Sequence, residues 1–64
     1  MKNRIRELRK QHEFRQEDLA TKLGVTRQTI NAIENEKYNP TLELAMKLAL
    51  LLNTAVEELF ILER

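Results

Sequence analysis

The stretch from Gln16 to Ile33, QEDLATKLGVTRQTINAI, leaves a chain little freedom in how it folds. Apolar or small residues at Leu19, Ala20 and Leu23 mark one helical face, Gly24 follows the last of them, and Val25, Ile30 and Ile33 resume the pattern on a second helix. Gly24 is where the first of these helices must stop. Lacking a Cβ, it accepts the left-handed conformation that ends a helix and turns the chain sharply, while Ala20 lets the second helix approach closely. Thr26 offers its hydroxyl as N-cap of the second helix. On the outward side stand Arg27, Gln28, Asn31 and Asn35, with the donors and acceptors that base edges and phosphates require. Two helices set at this angle can present one of them to a DNA groove.

Around this segment the chain is short. Its 64 residues predict one domain, residues 1–64, with no room for a separate ligand-sensing or catalytic unit. A core of this size is marginal, so idealised packing or self-association must support it. There is no cysteine, which removes disulfides, thiol nucleophiles and cysteine metal sites together. No secretory leader precedes the first helix and no apolar run reaches membrane length, so the expectation is a soluble cytoplasmic protein without membrane contact. One glycine and one proline argue against linkers, repeats or low-complexity tracts.

The formal net charge of +1 says little, but its distribution says more. Lys2, Arg4, Arg6, Arg9, Lys10 and Arg15 gather in the first quarter, whereas the tail after Leu48 carries Glu57, Glu58 and Glu63 against Arg64. The expectation is a basic end and an acidic end. An isolated charge run reads as a solvated face; one that adjoins the helix pair reads as the footprint of a nucleic acid.

A coarse pass gives five helices and no strand-like alternation, hence an all-α fold. The first helix is expected over about Lys2 to His12 with Ile5 and Leu8 inward, the second over Gln16 to Leu23 and the third over Arg27 to Asn35. Pro40 and Thr41 stop the chain and cap a fourth helix, Leu42 to Leu52, which Asn53 closes in place of glycine. A fifth spans about Val56 to Phe60. The fourth is apolar around most of its circumference, and such a helix must be buried all round. One face has Leu19, Ile30 and Ile33 to pack on. The surplus at Leu50 and Leu51, with Ile61 and Leu62, predicts a self-complementary dimer patch.

Other chemistries find little support. His12 is the lone histidine and stands in the last turn of a helix, where it meets terminal carbonyls or solvent more readily than a metal. Glu17-Asp18 and Glu57-Glu58 read as first-turn partners of helix dipoles, not as a general acid and base. With no Gly-rich phosphate loop, no nucleophile paired to a base and no ligand cluster, the sequence predicts no enzyme, no metal, no cofactor and no small-molecule ligand.

One string carries a resemblance: Gln16, three residues, Ala20, three residues, Gly24-Val25, four residues, Ile30, three residues, Glu34, then Asn35 and Lys37. It resembles the Cro/CI-type, lambda-repressor-like helix-turn-helix domains of phage repressors and small bacterial regulators. The resemblance extends to Ile5 and Leu8 upstream and to Pro40-Thr41-Leu42-Glu43-Leu44-Ala45 and Glu57-Glu58-Leu59-Phe60 downstream, so it covers nearly the whole chain. It implies a compact five-helix DNA-binding domain in which helices two and three form the helix-turn-helix.

The resemblance also implies roles. Arg27 and Gln28 fall at the first turn of the recognition helix, where family members contact base edges; Arg suits guanine O6 and N7, and Gln suits adenine N6 and N7. Asn31, one turn on, is a candidate for a neighbouring base or a phosphate, while Ala32 stands where some phage repressors hold a long polar reader. Gln16, at a helix N-terminus, is a candidate phosphate contact together with Thr26, Asn35 and Lys37, and beyond them Tyr38 and Asn39. Glu34 is expected to pair with a basic residue such as Arg9 and hold the helices in register. Three helix ends depart from the family pattern: Glu13 replaces the usual glycine, Arg15 a serine or threonine cap and Ala55 a serine cap, with Thr54 available one residue early. The reading that follows is a transcriptional regulator, a repressor binding double-stranded DNA as a homodimer at a short palindromic operator. The alternative from another class is an antitoxin or accessory module whose leucine-rich face binds a protein.

Overall fold

A computed structural model describes residues 1–63. Five helices follow in order: α1 (Ile5–Gln11), α2 (Gln16–Leu23), α3 (Arg27–Glu34), α4 (Leu42–Leu51) and α5 (Val56–Leu59). Two short strands, β1 (Lys2–Asn3) and β2 (Phe60–Ile61), lie at the ends of the helical run and pair antiparallel, Lys2 opposite Ile61 and Asn3 opposite Phe60. The mostly helical fold is as expected, but the strands are a correction. Two residues are too few to carry alternation, so their pairing is written only in the backbone.

That pairing moves the start of α1. The Asn3 carboxamide oxygen accepts the Ile5 N–H at 3.2 Å, and the Arg4 N–H donates to the Leu59 carbonyl at 2.9 Å, so the helix begins after the strand instead of at Lys2. It also brings the first member of the basic run to the acidic end. Lys2 Nζ lies 3.8 Å from the Glu63 carboxylate, which places the opening of the basic run against the acidic tail.

Four helices close in the same way. Glu13, Gly24, Glu36 and Asn53 have φ of 59°, 69°, 62° and 55°. The next N–H then reaches back to a carbonyl of the last turn: Phe14 to Arg9 at 2.9 Å, Val25 to Ala20 at 3.0 Å, Lys37 to Ala32 at 2.9 Å and Thr54 to Ala49 at 2.9 Å. Gly24 and Asn53 adopt this conformation at little cost, but for the two glutamates it carries a strain of about 1–2 kcal/mol each. Thr26 and Thr41 cap α3 and α4 by accepting the N–H of Thr29 and of Leu44, each at 3.2 Å. Thr54 does not cap α5. Its N-cap is Ala55, without a side-chain bond.

The core is continuous through Ile5, Leu8, Leu19, Ala20, Ile30, Ile33, Leu48, Ala49, Leu52 and Leu59, with Phe14, Leu23, Val25 and Leu51 packed on it. Thus α4, through Leu48 and Ala49, shares one core with Leu19, Ile30 and Ile33. It is not buried all round. Leu42, Met46 and Leu50, spaced four apart on one side of the helix, are 72%, 52% and 81% exposed. A helix in a domain this thin has core on one side only. His12 finds a terminal carbonyl, but of another helix: its Nε2 lies 3.0 Å from the oxygen of Leu52, and its ring stacks on Phe14.

Candidate nucleic-acid interface

Ile30 and Ile33 turn one side of α3 into the core, which leaves Arg27, Gln28 and Asn31 on the opposite side, all exposed and lining one concavity. Capping by Thr26 fixes the angle at which this first turn leaves the protein. The Thr26 hydroxyl also contacts that of Thr29 at 3.0 Å.

Behind the exposed side lies a polar seam joining α1, α2 and α3. Its centre is Glu34, whose side chain is fully buried. Arg9 grips it in a fork, Nε to Oε2 at 2.8 Å and Nη2 to Oε1 at 3.1 Å, while Nη1 bonds the Phe14 carbonyl at 3.0 Å. The expected Arg9 partnership is present. Two further donors reach Oε1: Arg6 Nε at 3.3 Å and Gln16 Nε2 at 3.2 Å. Burial by itself raises the Glu34 pKa, and this is the largest single influence; hydrogen bonds from Arg9, Gln16 and Arg6 and the Arg9 charge together hold it below its ordinary value. Glu34 is therefore an anchor carrying its charge.

The seam continues onto the reading side. Gln16 Nε2 also donates to Asn31 Oδ1 at 3.1 Å, Asn35 Nδ2 donates to the same oxygen at 3.1 Å and to the Asn31 carbonyl at 2.9 Å, and Arg6 Nη2 donates to Asn35 Oδ1 at 3.0 Å. Arg6, Glu34, Gln16, Asn31 and Asn35 thus close a ring of hydrogen bonds. Sequence reasoning placed Gln16 and Asn35 at phosphates and overlooked Arg6. The signal was present: Arg6 and Arg9 are three apart, as are Asn31 and Glu34, and Asn31 and Asn35 are four apart, so each helix carries a short polar stripe.

The open charges frame this seam. Among the described residues neither Arg27 nor Lys37 has an ion-pair partner, whereas Arg15 leans on Asp18 at 3.4 Å. Arg9, Arg15, Gln16 and Arg27 converge with Glu17 around a concavity at the N-terminus of α2. Asp18 Oδ2 accepts the Arg15 N–H at 2.7 Å, which supplies half of a capping box that Arg15 itself cannot complete. Of the remaining candidates, Tyr38 is exposed and Asn39 accepts from the N-terminal amine at 3.4 Å. Among the dimer candidates Leu50, Leu62 and Ile61 are 81%, 71% and 42% exposed, but Leu51 is half-buried against the core. No group of three His, Cys, Asp or Glu side chains among the described residues has the arrangement of a metal site. No helix of the described residues is long and apolar enough to cross a membrane.

Comparison with known proteins agrees with this geometry. A family model described as helix-turn-helix matches residues 5–59. An uncharacterized HTH-type transcriptional regulator of Methanocaldococcus jannaschii is 52% identical over 63 residues, covering 98% of this chain and 96% of that one. Another, from Bacillus subtilis, is 44% identical over 63 residues, covering 98% and 96%. Among solved structures, the restriction-modification controller protein C.AhdI from Aeromonas hydrophila superposes with a TM-score of 0.79 at 37% identity, over 89% of this chain and 86% of that one.

Proposed function

The chain belongs to the Cro/CI-type helix-turn-helix family of DNA-binding transcriptional regulators, and from that premise we propose that it is a repressor that binds a short palindromic operator as a homodimer, with α3 in the major groove. The observation that carries this reading is the open side of α3. Arg27, Gln28 and Asn31 stand together on it, held by the seam behind them. Arg27 suits guanine O6 and N7, and Gln28 suits adenine N6 and N7.

Phosphate contacts are proposed at Lys37, at the Thr26 hydroxyl and at Gln16. Both amide donors of Gln16 are already directed at Glu34 and Asn31, so its contact runs through the free backbone N–H groups of the α2 N-terminus. Asn35 has both donors turned on Asn31 and its oxygen on Arg6, so a phosphate contact from Asn35 requires the ring to open. The dimer is supported by the exposed stripe Leu42, Met46 and Leu50 and by exposed Ile61 and Leu62. The half-burial of Leu51 gives it a smaller share than Leu50.

The same exposed leucines favour the second reading, an antitoxin or accessory module that binds another protein through α4. Selection of binding sites from a random double-stranded pool, paired with sedimentation of the free protein, separates the two. A repressor enriches a palindrome with half-sites about one helical turn apart and sediments as a dimer; the turn spacing is the general geometry of helix-turn-helix dimers. A monomer that enriches no site supports the partner reading instead.

A further inference from the structure

We infer that Asn31 reads a hydrogen-bond acceptor on a base, guanine first and thymine second, because the ring fixes its carboxamide with only the NH2 group outward. This rests on the reading of α3 as the groove-facing helix and goes beyond it by assigning the polarity of one contact.

The amide orientation follows from groups that have no ambiguity. The Glu34 carboxylate only accepts, so the Gln16 atom 3.2 Å from it is a donor, and the same NH2 group meets Asn31 at 3.1 Å. The Arg6 guanidinium only donates, so the Asn35 atom 3.0 Å from it is the oxygen. That turns the Asn35 NH2 toward the Asn31 backbone carbonyl at 2.9 Å and toward its side chain at 3.1 Å. Two independently oriented donors therefore meet one Asn31 atom, which must be Oδ1. Both of its lone pairs are used. Asn31 Nδ2 has no partner among the described residues, and Asn31 lines the concavity shared with Arg27 and Gln28.

A free asparagine can pair with adenine through both ends of its amide, giving to N7 and accepting from N6. Here the accepting end is taken. Guanine presents N7 and O6 side by side as acceptors and thymine presents O4, whereas adenine sets its N6 amino donor beside N7 and cytosine presents the N4 amino donor, each of which meets the Asn31 NH2 group without a partner. Gln16 and Asn35 act as positioning residues for this selection, and Arg6 positions Asn35.

The decisive variant is Asn31→Asp. It keeps an oxygen for Gln16 and Asn35 and exchanges the outward donor for an acceptor, so its ring stays closed while its reading is inverted. The added negative charge lowers affinity for all DNA, so base preference is the quantity to compare. Sites are selected from a random duplex pool with the wild type, Asn31→Ala and Asn31→Asp. The expected result is a wild-type position at which guanine or thymine is preferred by about tenfold, relaxed by Asn31→Ala and moved to cytosine by Asn31→Asp. Asn35→Ala should admit adenine at that position by releasing one donor.

A second readout needs no DNA. In the free protein the side-chain amide protons of Gln16 and Asn35 should exchange with water more slowly than those of Asn31, and the reverse order would overturn the inference. So would a wild-type preference for adenine at the position Asn31→Ala relaxes, an unaltered base with Asn31→Asp, or no position relaxed at all. Each of these leaves the DNA-binding reading standing. If the folded wild type enriches no site, both the reading and the inference fall.

Discussion

The seam between α1, α2 and α3 and the outer side of α4 are built from opposite materials. In the seam, a fully buried carboxylate receives donors from Arg6, Arg9 and Gln16, and no buried side-chain nitrogen or oxygen among the described residues lacks a partner. On α4, Leu42, Met46 and Leu50 each stand more than half exposed on the outer side. Polar side chains that must hold a defined orientation toward a ligand need fixed partners, and the single chain supplies them. Apolar side chains need only be removed from water, and a second molecule does that as well as the first.

If the seam is what locks the helix pair, breaking it should have the largest effect. Glu34→Ala leaves Arg9, whose side chain is 11% exposed, without its carboxylate. Removing one partner of a buried pair costs about 3–5 kcal/mol, enough to unfold most of a domain this small. Urea melts check this; a loss below about 1 kcal/mol would mean that water replaces the carboxylate and that the seam is not a lock. Acid should act in the same direction. The pKa of Glu34 is lowered on folding, so its contribution is complete above its ordinary value of 4.5 and is lost as pH falls through the depressed folded value. Melts below pH 4.5 should show this fall, and Glu34→Gln should flatten it.

The other side of the comparison is tested by Leu50→Lys. A buried leucine contributes about 1.5–3 kcal/mol, and a two-fold interface loses two copies at once, so the variant should shift to monomer and lose roughly tenfold or more in operator affinity. Its thermal stability as a monomer should be unchanged, because Leu50 is 81% exposed. A variant that sediments as the wild type does would move the interface elsewhere, and one that melts early would put Leu50 in the fold.

Smaller effects belong to the helix ends. Arg15→Ser would complete the capping box that Asp18 half forms, stabilising the fold by about 0.5–2 kcal/mol. Glu13→Gly and Glu36→Gly should each add up to about 1 kcal/mol by relieving positive φ, less the flexibility gained by the unfolded chain. Melts in which all three lose stability would show that these side chains make contacts worth more than the strain.

What could be read from the sequence was local. Gly24, Thr26, Thr41 and Asn53 act on backbone within a turn of themselves, so composition and spacing suffice to place them. The Arg9–Glu34 pair spans 25 positions and came from resemblance alone; Arg6, which has the same target 28 positions away, was missed. Asn35 illustrates the limit for the site: its exposure is legible, but its engagement by Arg6 depends on how α1 crosses α3. Leucines on every side of α4 could not say which would stay outside, since that depends on where the domain ends. The β1–β2 pairing and the positive φ at Glu36 carry no side-chain signal, because backbone groups alone make them.

The claim that α3 reads bases from its open side is tested most directly by titrating Arg27→Ala and Gln28→Ala against the selected duplex and against random duplex at one salt concentration. Each variant should lose about 1–3 kcal/mol on the selected site and relax one or two base pairs, while binding to random DNA stays nearly intact. Equal losses on the two duplexes would contradict the assignment and leave both side chains as contacts to the phosphate backbone.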